Sequence, residues 1–120
     1  MAMAFGIEDR QIDKETHVVT VTGEIDLFTA PEFKQRVSAP IDAGRTRLIV
    51  DLTGTTFIDS SSLGVLIGAH RRLRRLNGRL AIVVNGDPII KTFRITGLDG
   101  VFTIVSTLDE ALNGDAVGAG

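Results

Sequence analysis

The sequence predicts an α/β fold, a single domain with a mixed β-sheet of about four to five strands and about four helices. The main observation is an alternation along the chain, in which short apolar runs of strand character are followed by segments whose apolar residues recur at helical spacing. A length of 120 residues suits one hydrophobic core and is too short for two. With six Phe and no Trp or Tyr, that core must be built mainly from Val, Ile and Leu.

The chain begins with two predicted strands. A weaker strand covers residues 5–12, and a stronger one covers residues 18–22, where β-branched side chains follow one another until Gly23 ends the run. We expect these two strands to form an antiparallel edge of the sheet.

The first helix is predicted after a short loop. Thr29 and Glu32 have the spacing of a capping box, and Pro31 lies in the first turn, where proline is tolerated. Pro40 is expected to kink or end this helix early, and Gly44 is expected to stop it. The buried stripe of the helix is predicted to consist of Phe33, Val37 and Ile41.

A buried strand, a long helix and another buried strand are predicted in the middle of the chain. Residues 47–52 form a nearly continuous apolar run, which is typical of a strand covered on both faces, and a Thr-rich turn is expected after them. The helix carries apolar residues at helical spacing from Leu63 to Leu76 and stops at Asn77-Gly78. Residues 80–84 form the next strand.

The C-terminal part repeats the alternation with shorter elements. Asp87-Pro88 is expected to cap a helix that ends near Gly97, and a last strand is predicted at residues 101–105. Thr107 and Glu110 repeat the capping-box spacing ahead of a short final helix.

Composition and charge exclude several classes of function. The net charge is -2 and the pI is about 5.6, so no overall positive charge attracts nucleic acid. The chain has no cysteine, which excludes disulfides, thiolate catalysis and cysteine-based metal sites. Its two histidines have no companions at ligand spacing, so neither a metal nor another cofactor is expected.

Targeting and membrane signals are missing from the sequence. The N-terminus has no basic region followed by a long apolar stretch, and no run approaches the roughly 18 apolar residues of a membrane helix. We therefore expect a cytoplasmic protein. Its domain is placed at residues 5–112, with a disordered, Gly-rich tail at residues 113–120.

The most informative segment lies at the start of the long helix, where residues 59–64 are Asp-Ser-Ser-Ser-Leu-Gly. A helix start exposes backbone N–H groups, and a hydroxyl there can become a phosphate at small structural cost. From the residue types alone, Asp59 and the serines are most often N-cap residues, each worth about 1 kcal/mol. A phosphorylation switch is the other interpretation. Both hold if one hydroxyl caps the helix while its neighbour faces solvent.

These residues resemble the STAS family, the domain shared by sulfate transporters and anti-sigma factor antagonists. The family's hallmark is an Asp-Ser-Ser/Thr-x-Leu-Gly motif that follows a buried strand and opens a helix, and residues 59–64 match it. A second hallmark, Gly-Glu-apolar-Asp after an early strand, matches residues 23–26. The resemblance covers about residues 7–112 and implies a STAS-like α/β fold.

The resemblance implies an anti-sigma factor antagonist with a phosphorylation site. Ser61, the second serine after the aspartate, would be the phosphoacceptor. Ser60 and Ser62 are second choices, because many antagonists carry glycine where this chain has Ser62. Asp26, Asp59, Ser60 and Ser62 would shape the partner-binding surface around Ser61.

The resemblance also implies the partners. An anti-sigma factor that is a serine kinase would bind the unphosphorylated protein, so that a sigma factor is released for transcription. Phosphorylation would weaken this complex, and a PP2C-type phosphatase would restore it. ATP would be bound by the kinase, and direct contact with nucleic acid or a membrane is not expected.

Two other classes of function remain as alternatives. The main one is a STAS module for scaffolding or small-ligand sensing, independent of phosphate, in a larger regulatory or transport assembly. The other is an enzyme that uses Ser61. It is disfavoured because a hydrolase elbow needs glycine at the positions of Asp59 and Leu63. Asp26 and Asp59 as a catalytic pair would also lack an accompanying nucleophile and base.

A dense basic cluster lies near the end of the long helix, formed by His70, Arg71, Arg72, Arg74, Arg75 and Arg79. Cations near a helix C-terminus complement its dipole, so a solvated helix face is one interpretation and a surface for an acidic partner is the other. On the same helix, Gly64 and Gly68 are expected to permit close packing against another helix.

Overall fold

A mixed sheet with helices on both faces forms the framework of the protein. The computed structural model describes residues 4–118, with side-chain surroundings for residues 4–113. In chain order its elements are β1 (Gly6–Gln11), β2 (Thr16–Ile25), α1 (Ala30–Asp42), β3 (Arg47–Ile58), α2 (Ser60–Arg75), β4 (Arg79–Val83), α3 (Asp87–Ile95), a 3₁₀ turn (Leu98–Gly100), β5 (Thr103–Val105) and α4 (Leu108–Gly118).

The strands lie side by side in the order of the sequence. β1 pairs with β2 in the antiparallel direction, and β2, β3, β4 and β5 are parallel to one another. The predicted α/β class, the mixed sheet and its antiparallel edge are therefore confirmed. Because each helix between two parallel neighbours makes a right-handed crossover in the same direction along the sheet, α1, α2 and α3 all lie on one face.

The main core lies between the sheet and these three helices. Phe33 of α1 and Phe93 of α3 are fully buried, and the predicted stripe of α1 is confirmed as part of this core. On the opposite face α4 places Ala111 in a smaller cluster with Val18, Ile49 and Val83. Apolar burial on both faces explains the almost continuous aliphatic runs of β4 and of the first half of β3.

β2 and β3 are longer than the sequence predicts. Gly23 does not end β2, because a register shift beside it lets the strand continue to Ile25, with φ of 82° at the glycine. The expected Thr-rich turn after residue 52 is likewise wrong, since those residues continue β3 to Ile58. The Thr55 hydroxyl is buried and donates to the Val21 carbonyl oxygen at 2.9 Å, which satisfies a polar group inside the extended pair.

The predicted caps of α1, α3 and α4 agree with the structure to different degrees. Thr29 is the N-cap residue of α1 as predicted, but its hydroxyl bonds back into the preceding loop and makes no capping-box bond to the helix. Gly86, not Asp87, is the N-cap residue of α3. By contrast, the Thr107 hydroxyl accepts from the Glu110 N–H at 3.1 Å, which is the first bond of the predicted capping box, and it donates to the Glu110 carboxylate at 3.3 Å.

Other boundaries differ by a few residues from those predicted. α1 continues through the buried Pro40 to Asp42, so this proline does not end it. The 3₁₀ turn shortens the last strand, because the Val101 and Phe102 N–H groups donate to the Leu98 carbonyl oxygen. α4 reaches Gly118, inside the tail predicted as disordered at residues 113–120. The disorder stays a prediction, and residues 119–120 lie outside the described part of the chain.

The predicted stop of α2 at Asn77-Gly78 is confirmed and depends on a close backbone approach. Asn77 has φ of 57°, and the Gly78 N–H donates to the Leu73 carbonyl oxygen at 2.6 Å. A Cβ at Gly78 would lie 2.4 Å from the Thr46 carbonyl oxygen, which is backbone that cannot move aside freely. Glycine is therefore required where α2 turns into β4.

Two glycines, Gly68 within α2 and Gly78 between α2 and β4, are expected to respond in opposite directions to substitution by alanine. Gly78→Ala should lower the free energy of unfolding by about 1–3 kcal/mol, because the added methyl group overlaps the Thr46 carbonyl. Gly68→Ala should raise it by about 0.5–1 kcal/mol, because a Cβ there meets no atom within 4 Å and alanine favours the helix. Urea unfolding of both variants measures the difference, and effects of the same sign would contradict the prediction.

Candidate protein-binding and phosphorylation site

The candidate site lies where β2 and β3 end side by side. Ile25 and Ile58, the last residues of the two strands, are register partners. α2 begins at Ser60, directly after β3, while the loop that starts at Asp26 leads from β2 to α1. The extended pairing therefore brings both predicted motifs, residues 23–26 and residues 59–64, to the same edge of the sheet.

Asp59 is the N-cap residue of α2 and accepts several hydrogen bonds. One carboxylate oxygen, Oδ1, accepts from the backbone N–H groups of Ser61 and Ser62, at 3.0 and 3.2 Å, and from the Ser61 hydroxyl at 2.6 Å. The Ser61 hydroxyl, followed by donors of Ser62 and opposed by burial, lowers the pKa of Asp59. The carboxylate is thus a stable anion that closes the helix start.

Ser62 has the opposite character, since its side chain is fully buried. Its hydroxyl oxygen accepts from the Asp59 N–H at 3.1 Å, and its proton lies within reach of Asp59 Oδ1 at 3.0 Å and of the Ile25 carbonyl oxygen at 2.9 Å. The first bond completes the capping box with Asp59, and the second joins the start of α2 to the end of β2. The hydroxyl of Ser62 therefore has a structural function and offers no surface to a partner in this conformation.

Ser61 and Ser60 remain as accessible hydroxyls. Ser61 is half-buried, and besides its bond to Asp59 it lines an open groove together with Leu27, Pro31 and Gly64. Ser60 is exposed as the first residue of α2, and its hydroxyl makes no hydrogen bond within the described part of the chain. Of the three serines, Ser61 alone combines partial exposure with a defined orientation.

Asp26 holds the loop beside this groove. Its Oδ1 accepts from the N–H groups of Phe28 and Thr29, at 2.9 and 3.0 Å, and the Thr29 hydroxyl in turn accepts from the Asp26 N–H at 2.9 Å. Such a turn fixes the loop without apolar packing. Asp26 and Asp59 are thus each engaged by donors of their own segments, which argues against a catalytic pair.

An exposed apolar pair at this loop is a feature that the sequence analysis missed. Leu27 is 70% and Phe28 is 89% exposed, although both are large and apolar. Exposed apolar side chains that cluster beside a groove are typical of protein-binding surfaces. The available signal was their position between the Asp26 motif and the start of α1, outside the buried stripe of that helix.

The described residues meet neither the requirements of a metal site nor those of a membrane-spanning helix. No three His, Asp or Glu side chains in residues 4–113 are grouped so that they could hold a metal ion. None of the helices described up to residue 118 is both long and apolar enough to cross a bilayer.

The sheet order, the three crossover helices on one face and the serine-rich helix start at the strand ends define a class of small α/β domain with a hydroxyl-bearing surface. The sequence model of the STAS domain matches residues 9–111, which are most of the chain. The chain therefore belongs to the STAS domain family, and the predicted resemblance is confirmed.

Several curated relatives are named anti-sigma factor antagonists. The anti-sigma-B factor antagonist of Listeria monocytogenes is 33% identical over 113 residues, which cover 94% of this chain and 98% of that protein. The crystal structure of an anti-sigma factor antagonist from Mycobacterium paratuberculosis is 30% identical and superposes with a TM-score of 0.84, covering 92% of this chain and 93% of that one. The Bacillus cell fate determinant SpoIIAA in its phosphorylated form is 28% identical, with a TM-score of 0.70 and coverage of 92% and 97%.

The structural function of Ser62 has a stability consequence. Ser62→Ala should lower the free energy of unfolding by about 1–3 kcal/mol, because the buried Ile25 carbonyl and the Asp59 N–H each lose a partner. Ser60→Ala is the matched control and should change it by less than about 0.5 kcal/mol, since the Ser60 side chain is exposed. Urea unfolding decides the matter, and equal effects of the two substitutions would contradict the assigned roles.

The Asp59 carboxylate makes stability depend on pH. Because its pKa is lower in the folded protein, the unfolded chain binds more protons, and the stabilisation is complete above the unfolded pKa and is lost as the pH falls through the folded one. Asn at this position still accepts cap bonds but carries no charge. We expect wild type to be more stable than Asp59→Asn at neutral pH, with a difference that shrinks as the pH falls below about 4. A difference independent of pH would contradict this.

Proposed function

We propose that this protein is an anti-sigma factor antagonist whose binding is controlled by phosphorylation of Ser61. In the unphosphorylated state it binds an anti-sigma factor that is a serine kinase, which releases a sigma factor for transcription. The main support is the half-buried Ser61 hydroxyl beside an exposed apolar loop, in a chain matched over nearly its whole length by proteins named antagonists.

Ser61 is preferred over its neighbours on physical grounds. A kinase must reach the hydroxyl oxygen, and the burial of Ser62 prevents this without opening the helix start. Ser60 is accessible but its hydroxyl makes no hydrogen bond within the described residues, whereas the Ser61 hydroxyl is oriented by its bond to Asp59 at the border of the groove. Asp26 and Asp59 therefore support the binding surface by fixing its two segments, and Ser60 lies at its edge.

Phosphorylation of Ser61 would change the charge at this surface and leave the fold in place. The ester oxygen has no proton to donate to Asp59, and the phosphate adds about -1.5 to -2 charges beside an ionised carboxylate. The side chain must then turn away from Asp59 into the groove with Leu27. The capping bonds of Ser62 and the backbone N–H groups are unaffected, so α2 keeps its start.

This change would weaken the complex through charge and bulk at the contact, not through unfolding. A partner that covers Leu27 and Phe28 in the unphosphorylated state would have to bury the phosphate, and burial of an unpaired charge is costly. A PP2C-type phosphatase would restore binding by removing it. ATP would be held by the kinase.

Binding to the host's serine-kinase anti-sigma factors tests the proposal. Ser61→Ala should bind as wild type does and should gain no phosphate, and Ser61→Glu should raise the dissociation constant at least about tenfold by its charge. Calorimetry measures the affinities, and mass spectrometry after incubation with kinase and ATP locates the phosphate. Ser60→Ala is the control and should still be phosphorylated.

Two results would count against this function. Phosphate on Ser60 in place of Ser61 would refute the assigned residue. If none of the anti-sigma factors binds wild type or Ser61→Ala, the alternative of a phosphate-independent scaffold or ligand-sensing module is favoured.

A further inference from the structure

A second groove lies between α1 and α2 and continues from the Ser61 groove. It has a volume of about 400 Å³. Lys34, Gly64 and Val65 line both grooves, so the two form one surface along α2. We call the second one the basic groove; the residues of it that carry the argument are Lys34, Gly64, Gly68, Arg71, Arg72 and Arg75.

The basic groove holds positive charge that the carboxylates of residues 4–113 do not neutralise. Arg72 is paired with Asp42 of α1. Lys34, Arg71 and Arg75 are exposed, and no carboxylate of residues 4–113 lies within 4.0 Å of their charged groups. Arg71 and Arg75 are also four residues apart on one helix, where like charges repel. The protein as a whole has a net charge of -2, so this excess is local.

Two glycines form the floor of the groove, and packing within the chain does not explain them. A Cβ at Gly64 or Gly68 would meet no atom within 4 Å, so the predicted role in close helix packing is wrong. Neither glycine has a positive φ, and both lie in the interior of α2, where glycine is unfavourable. Their effect is to keep the floor flat, so that the backbone of another molecule can approach α2.

We infer that the basic groove binds an acidic segment of the protein that covers Ser61. This inference rests on the proposed function, because it assigns to the same partner a second contact on α2. Charge complementarity selects carboxylate side chains, and the glycine floor admits a segment that approaches with its backbone. Nucleic acid fits less well, because no aromatic side chain lines the groove and the net charge is negative.

Lys34 links this contact to the phosphorylation site. It lies on the shared border of the two grooves, where an acidic group of the partner and a phosphate on Ser61 would compete for one ammonium group. Phosphorylation would thus weaken the acidic contact as well as the apolar one at Leu27.

Charge reversal with a matched control tests the inference. Arg71→Glu/Arg75→Glu should raise the dissociation constant for the anti-sigma factor at least about tenfold, and the difference from wild type should shrink as salt is raised from about 0.1 to 0.5 M. Arg10→Glu/Arg94→Glu changes the net charge equally on β1 and α3, outside the groove, and should change the constant less than about twofold. If both double variants lost affinity for the anti-sigma factor equally, the assignment of the acidic contact to the basic groove would be refuted.

A glycine substitution separates the contact from charge. Gly68→Leu places a side chain on the groove floor, where a Cβ has room, so the protein should melt at or above the wild-type temperature while binding the anti-sigma factor more weakly. If this variant bound the anti-sigma factor as wild type does, the inferred close approach of the partner's backbone to α2 would be refuted.

A probe that does not depend on the anti-sigma factor distinguishes failure of the inference from failure of the proposed function. A helical Glu-rich peptide added to ¹⁵N-labelled protein should shift the amide signals of Gly64, Gly68 and Arg71 and should leave Arg71→Glu/Arg75→Glu unperturbed. Shifts spread over all basic surfaces, or stronger shifts at these positions with a DNA duplex, would overturn the inference. If the peptide shifts these groove signals but no anti-sigma factor binds the protein, the proposed antagonist function is refuted and the basic groove is still supported as a site for acidic segments.

Discussion

The long parallel pairing of β2 with β3 is the constraint on which the site depends. The irregularity at Gly23 keeps the two strands in register up to Ile25 and Ile58, so the segments that follow them start from the same place. The buried Ser62 hydroxyl then joins the start of α2 to the last carbonyl of β2. A shorter pair would leave the Asp26 loop and the serines without a fixed relation, and the surface would not exist as a unit.

Within that frame, consecutive residues of one type carry out separate tasks. One turn of α2 directs the side chain of Ser62 into the protein, leaves Ser60 in solvent and holds Ser61 between the two environments. A single carboxylate oxygen of Asp59, Oδ1, accepts from the backbone N–H groups at the start of α2 and from the Ser61 hydroxyl. The helical period of 3.6 residues is what separates the serines, since neighbours along a helix point about 100° apart.

The fold class and the place of the candidate site in the chain could be predicted from the sequence, because both depend on local patterns. Apolar periodicity identified the strands and helices, and the Asp-Ser-Ser-Ser segment identified the helix start. The extension of β2 past Gly23, the cap of α3 and the exposure of Leu27 and Phe28 depend on tertiary pairing, which no local pattern contains. The same holds for Gly64 and Gly68, where a helical glycine looks alike in sequence whether it faces a neighbour or open space.

The hydrogen bond of 2.6 Å between Ser61 and Asp59 bears on how fast the proposed phosphorylation of Ser61 would occur. In the proposed phosphorylation the Ser61 hydroxyl loses its one proton, and a base of the kinase cannot accept that proton while Asp59 does. On this proposal, modification by such a base would start from the fraction of molecules in which the bond is open. Substitutions that weaken this bond would alter that fraction, and with it the duration of the unmodified state, without changing the exposed side chains of Leu27 and Phe28. On the proposed function, the lifetime of the unphosphorylated state and the affinity for the anti-sigma factor would then depend on different residues.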